Sequence, residues 1–224
     1  MLVSCWSAKG GSGTTVVAVA LAAVLGRRDE RESLLVDLAG DCPTVLGVPE
    51  PDGPGVVDWL ATTDAVPVEA IDRLERPVAA GVCLVHRGRN VIARVERADA
   101  LLSHLTADDR AVVIDAGVIG GARDDDPVGE VRRAIATSST HSLLVTRACF
   151  LSLRHALAVA MDPTGIVLVD EPGRALGRTD VEDVLGVPVV ATVQVDPAVA
   201  RAVDAGLLVS RLPSDLRRSL QHVA

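Results

Sequence analysis

Residues 7–22 read SAKGGSGTTVVAVALA. Gly10, Gly11 and Gly13 permit a tight turn in which backbone N–H groups converge on one point. A helix expected to begin near Thr14 adds the positive end of its dipole, so the turn suits an anion, and a phosphate above all. Ser12 and Thr14 lie within the turn, and Thr15 is placed to offer a hydroxyl to Mg²⁺. Lys9 stands at the start of the loop and is the only lysine of the chain; every other basic side chain is Arg. Two aliphatic runs end in a carboxylate: SLLVD closes on Asp37 and AVVID on Asp115. At the C-terminal ends of parallel strands such groups face the ligand edge of a sheet, where both can hold Mg²⁺-bound water near Thr15.

The elements that must position these residues read as an alternation of apolar runs and helix-like segments. That is the pattern of an α/β domain with a single doubly wound, mostly parallel sheet and helices on both faces. Strands are expected at 2–6, 33–37, 82–86, 111–115, 142–146, 165–169 and 187–193. Helices fit 14–26, 91–105, 128–136, 151–160, 179–185, 197–205 and 213–222. Residues 40–80, rich in Pro, Gly and Asp, should form loops and short helices. No linker or repeat divides residues 1–224, so one domain is expected. The chain is 49% apolar, but its aromatic residues are only Trp6, Trp59 and Phe150. The core must therefore come from Val, Leu, Ala and Ile, which suits strands buried on both faces.

The net charge of −8 argues against a generally basic nucleic-acid binder. Cys5, Cys42, Cys83 and Cys149 are scattered, with no CxxC pair, and fit a reducing cytosol. Without a leader or a long uncharged apolar stretch, a cytoplasmic location is expected. The run ARDDDP (122–127) reads as a solvated loop whose acids favour the N-terminus of the next helix. The five histidines form no catalytic constellation.

Against the phosphate-loop pattern G-x-x-x-x-G-K-[ST], Ala8 replaces the first Gly and Thr14 replaces the Lys. Losing that cation removes about 4 kcal/mol of gross charge interaction with a phosphate at an effective dielectric of about 20. The backbone cradle survives, so weak to moderate nucleotide binding is expected.

The stretch KGGSGTT resembles the deviant phosphate loop, K-G-G-x-x-K-[ST], of the ParA/MinD family of dimeric ATPases. With Thr at position 14 it looks most like the CpaE/TadZ branch, associated with pilus assembly. The resemblance covers most of the chain. LLVDLAGDCP (34–43) sits at the switch I strand, V-D-x-D, and AVVIDAG (111–117) at the Walker B and switch II strand. GIVLVDEPGR sits at the nucleotide-base segment, and GVPVVATVQVDPAVARAVDAG resembles the closing segment.

The resemblance implies a P-loop NTPase fold, ATP and Mg²⁺ as cofactors, and a nucleotide-dependent homodimer. It implies that Lys9 reaches across to the partner's phosphates. Gly10, Gly11, Ser12, Gly13, Thr14 and Thr15 would cradle the nucleotide, and Thr15, Asp37 and Asp115 would serve the metal. Where the family has the second Asp of V-D-x-D, which helps position the attacking water, this chain has Ala39. Asp41, two residues on, could substitute if the loop bends differently. Where the family commonly has an Asn that reads adenine, this chain has Asp170. A carboxylate accepts from the adenine amino group, and equally from guanine N1–H and N2–H; ATP is the expected ligand.

The implied function is a nucleotide-dependent switch that positions a larger assembly, pilus or secretion machinery, with slow or absent hydrolysis. A non-catalytic scaffold and a DNA-partition ATPase are the alternatives. The tail SDLRRSLQHVA is short and weakly hydrophobic, so a helix docked on its own domain is expected rather than a membrane anchor. Arg201, Arg211, Arg217 and Arg218 could form a basic face for DNA.

Overall fold

The computed structural model describes residues 1–28, 31–49, 51–63, 65–79, 81–120 and 127–223. Within them lie β1 (Leu2–Ser7), α1 (Thr14–Arg28), β2 (Ser33–Asp37), α2 (Cys42–Leu46), α3 (Val56–Leu60), a 3₁₀ turn at Val68–Leu74, β3 (Arg76–Ala79) and β4 (Val82–Val85). There follow α4 (Ala98–Ala107), β5 (Val112–Val118), α5 (Pro127–Ser138), β6 (His141–Arg147), α6 (Phe150–Ala158) and β7 (Gly165–Asp170). The chain closes with α7 (Arg178–Leu185), β8 (Val189–Gln194), α8 (Pro197–Asp204) and α9 (Ser214–Leu220). Apart from Pro127, the acidic run at 122–127 lies outside the described residues.

The strands make one sheet in the order β3-β4-β2-β5-β1-β6-β7-β8. Each neighbouring pair is parallel except β3 with β4. Its aliphatic strands place alternate residues on two cores, as period-two geometry requires. On one face Trp6, Val36, Ile114, Leu144 and Leu168 pack with α3, α4 and α5. On the other, Val3, Cys5, Leu35, Val113, Val145 and Val167 pack beneath α1, α2 and α9. Helix α1 is buried along most of its length, which its Ala/Val/Leu sequence permits, and it ends on Arg27 and Arg28 at the negative pole of its dipole. No described helix is long and apolar enough to cross a membrane.

Two departures from the sequence reading have physical causes. Strand β3 carries Pro77, which cannot donate to a ladder, and it survives because it is an edge strand with a register shift beside that proline. The helix expected over 91–105 begins only at Ala98. Residues 86–97 instead run along α3, where the Glu96 N–H donates to Leu60 O and Arg97 stacks on the Trp59 ring at 4.4 Å. The expected short helices of 40–80 are α2, α3 and the 3₁₀ turn.

Candidate functional site

The loop between β1 and α1 lies at the C-terminal ends of the strands, where the order of the sheet reverses about β1. Gly11 and Gly13 have φ of +77° and +92°, conformations that a side chain would strain. Open space surrounds the Cβ positions of Gly10 and Gly11. The Ser12 hydroxyl donates to Lys9 O (2.8 Å) and pins the turn, while the Val17 N–H donates to Gly13 O (3.0 Å) to start α1. Over the loop opens a cavity of about 310 Å³, lined by Gly10 through Val16 together with Ser7, Ala39, Asp41, Gly117, Val118 and Arg132.

Below it the parallel register sets Asp37 of β2 opposite Asp115 of β5, and Asp115 opposite Cys5 of β1. After that pair the β1–β5 register shifts and leaves Ala116 unpaired, a bulge that ends the regular ladder at the acid. Asp37 is wholly buried. Its Oδ1 accepts from the Ala39 and Gly40 N–H groups (2.9 and 2.6 Å) and its Oδ2 from the Cys42 N–H (3.0 Å). It therefore shapes the turn that leads from β2 into α2. Asp115 is equally buried; it accepts from the Gly117 N–H (3.0 Å) and the Cys42 thiol (3.7 Å), and the neighbouring Thr15 hydroxyl favours its charged form.

Burial and the mutual repulsion of the two carboxylates hold Asp37 up at about 7, and burial also raises Asp115 despite its hydrogen bonds. Cys42, whose Sγ lies within 4.8 Å of a carboxylate oxygen on each acid, is pushed far up by burial and by both neighbours, so it stays a thiol. Hard oxygen donors at Thr15 and Asp115 suit Mg²⁺ better than a softer metal.

The remaining sequence-derived residues are distributed more widely. Thr14, in the place of the usual loop lysine, is mostly buried and lines the cavity. Asp41 is exposed on the cavity wall; it precedes α2 without capping it, so its carboxylate is not consumed by the helix. Lys9 does not line this cavity. Its Nζ donates to Gly10 O (3.3 Å) on the outer side of the loop. There it borders a second cavity of about 500 Å³ with Arg147, Cys149, Phe150 and Arg174. Asp170 ends β7, where Val169 flanks Gly13, and its Oδ2 accepts from the Gln194 amide (3.0 Å).

Two residues that the sequence reading did not single out touch the cavity or one of its candidates. Gln194 adds an amide beside Asp170 that only the β7–β8 pairing reveals. Arg132 reaches the cavity from α5, far from the loop in sequence, and no local motif marks it.

Comparison with known proteins agrees with this geometry. The sequence profile of the CobQ/CobB/MinD/ParA nucleotide binding domain matches residues 3–209. No curated protein sequence matches the chain. Among solved structures, a ParA family ATPase from Chlorobium tepidum TLS superposes with a TM-score of 0.74 at 18% identity, over 98% of this chain and 96% of that one. The septum site-determining protein MinD from Pyrococcus horikoshii OT3, complexed with Mg-ADP, gives 0.75 at 18% identity, over 99% and 93%. A Cyanothece McdA variant in complex with ATP gives 0.70 at 14% identity, over 99% and 95%.

Proposed function

The chain belongs to the CobQ/CobB/MinD/ParA nucleotide-binding domain family, and on that premise we propose that it is a nucleotide-dependent dimeric switch that positions a larger assembly. The carrying observation is the glycine cradle at the N-terminus of α1, opening with Thr15 on a cavity beside the strand ends where Asp37 and Asp115 lie opposite one another. Relatives of the same fold have been solved with Mg-ADP and with ATP. ATP with Mg²⁺ is the proposed ligand.

In this reading the backbone of Gly10, Gly11, Ser12, Gly13, Thr14 and Thr15 holds the phosphates. Thr15 and Asp115 hold Mg²⁺, with Asp37 supporting from the adjacent strand. When bound, Mg²⁺–ATP supplies a phosphoanhydride whose charge the protein must neutralise. Asp41 orients water in place of the acid absent at Ala39. Asp170, oriented by Gln194, faces the base. Lys9, on the outer side of the loop, serves the nucleotide of a second copy, beside the exposed Phe150 and Leu151. With Thr14 for lysine and Ala39 for aspartate, hydrolysis is slow.

The finer assignment is a CpaE/TadZ-like protein of a pilus or secretion machine acting in the cytoplasm, on the strength of KGGSGTT. A nucleotide-free scaffold is the second reading, favoured by the two buried acids, whose oxygens are already satisfied by protein groups. A DNA-partition role would use the exposed Arg201, Arg211, Arg217 and Arg218, and salt-sensitive DNA retention would report it.

Titration with a fluorescent ribose-labelled ATP, with and without Mg²⁺, tests the main reading. Saturable binding that tightens with Mg²⁺ and weakens at least about tenfold in Thr15→Ala supports it. No saturable binding at millimolar nucleotide selects the scaffold.

A further inference from the structure

The cavity over the glycine loop is lined by a basic side chain that the loop itself does not supply. Arg132 projects from α5, is 7% exposed, and shares the cavity wall with Gly10–Thr15, Ala39, Asp41 and Gly117. Its Nε and Nη2 both donate to Leu38 O, at 3.2 and 2.6 Å. One edge of the guanidinium is thereby fixed to the residue that follows Asp37 and precedes Ala39. That edge orients the fork, and a buried, oriented guanidinium loses little further freedom when it meets an anion.

We infer that Arg132 provides the cation for the terminal phosphate of the bound nucleotide, in the role left vacant by Thr14. The inference rests on the nucleotide-binding reading above and extends it to substrate discrimination. A guanidinium meets the several oxygens of a terminal phosphate with parallel N–H donors, and a lysine head in its place would keep the charge while losing the fork. The same side chain holds Leu38 O, and Leu38 stands in the turn that Asp37 organises with three backbone N–H bonds. A terminal phosphate on Arg132 therefore bears on both α5 and the β2–α2 turn. ATP is distinguished from ADP at this residue, whereas the glycine cradle holds the phosphates the two share.

The test is equilibrium titration of ribose-labelled ATP and ADP, each with Mg²⁺, on the wild type, Arg132→Gln, Arg132→Lys, Thr14→Lys and the Arg132→Gln/Thr14→Lys double variant. Glutamine keeps a donor for Leu38 O and removes the charge; lysine keeps the charge. The expected result is that Arg132→Gln weakens ATP by about 10- to 100-fold while ADP changes less than about threefold. Arg132→Lys retains ATP affinity within about fivefold, and Thr14→Lys recovers at least about tenfold in the Arg132→Gln background, more than it adds to the wild type.

Equal losses for ATP and ADP in Arg132→Gln, or no loss for either, would overturn the inference, since a scaffolding role predicts the first and no role the second. Wild-type binding of ATP and ADP beside an unchanged Arg132→Gln sinks this inference alone. A wild type that binds neither nucleotide sinks the underlying reading and this one with it. Should Arg132→Gln fail to fold, the comparison passes to Arg132→Lys against Thr14→Lys. An Arg132→Lys variant that weakens ATP by up to about fivefold and leaves ADP unchanged supports the inference, and equal changes for the two nucleotides, or none for either, count against it.

Discussion

Asp37 and Asp115 show how a single pair of side chains can be costly to the fold and useful to the ligand. Both are removed from water, and each raises the cost of ionising the other. A carboxyl with a higher pKa in the folded than in the unfolded state takes up a proton on folding. Its contribution to stability is complete below the unfolded value of about 3.8 and is lost as pH rises through about 7. Thermal melts without Mg²⁺ should therefore show a falling Tm between pH 5.5 and 8. Asp115→Asn, which keeps the Thr15 and Gly117 contacts within reach, should flatten that slope and raise the metal-free stability at pH 8. The expected gain is on the order of 1 kcal/mol, or roughly 2–4 °C. The same variant should lose the stabilisation that Mg²⁺–ATP gives the wild type. A metal-free Asp115→Asn that melts lower than wild type at pH 8 would show that the acid is a net structural asset. Asp41 makes a separate prediction. As an exposed carboxylate on the cavity wall, it should affect turnover and not affinity. Single-turnover hydrolysis by Asp41→Asn should slow by about 10- to 100-fold with nucleotide binding within about threefold; an unchanged rate removes Asp41 from the reaction.

Elements decide which of these residues were legible in the chain. The seven expected strands are all present, six of them because parallel strands buried on both faces leave continuous aliphatic runs, and Asp37 and Asp115 were readable as the ends of two of these. Strand β3 was not readable, since Pro77 contradicts strand chemistry everywhere except on an edge. The false helical turns before Ala98 come from Val91, Ile92 and Val95, whose spacing imitates an amphipathic face. Arg97 on Trp59 and Glu96 on Leu60 hold that segment against α3 instead. Arg132 and Gln194 were invisible because their roles depend on packing between elements distant in sequence. The contact of α2 with the end of α8 is a further case. A Cβ on Gly47 would fall 2.3 Å from the Gly206 Cα, and both glycines have positive φ. Gly206→Ala should cost roughly 2 kcal/mol or more from the left-handed backbone and the clash together. Urea unfolding would check this, and a loss under about 0.5 kcal/mol would mean that the two helices can separate freely.

At the scale of the molecule, the outer side of the glycine loop is where a monomer has something left to bury. Phe150 and Leu157 are 74% and 62% exposed on α6, and Phe150 borders the cavity that contains Lys9, Arg147 and Arg174. Aromatic residues are otherwise confined to the buried Trp6 and Trp59, so an exposed phenylalanine beside the lone lysine fits an interface for a second copy. Phe150→Asp should leave the monomer's Tm within about 2 °C, because the ring contributes little to the core, and should abolish any ATP-dependent assembly. Retention of that assembly would place the interface elsewhere.

The most direct measurement is the solution mass of the purified protein alone, with ATP–Mg²⁺ and with ADP–Mg²⁺, for the wild type and Lys9→Ala. A nucleotide-dependent switch predicts a dimer with ATP, a monomer with ADP or no nucleotide, and a monomer throughout for Lys9→Ala. A mass that is the same in all three conditions, whether monomer or dimer, would contradict it.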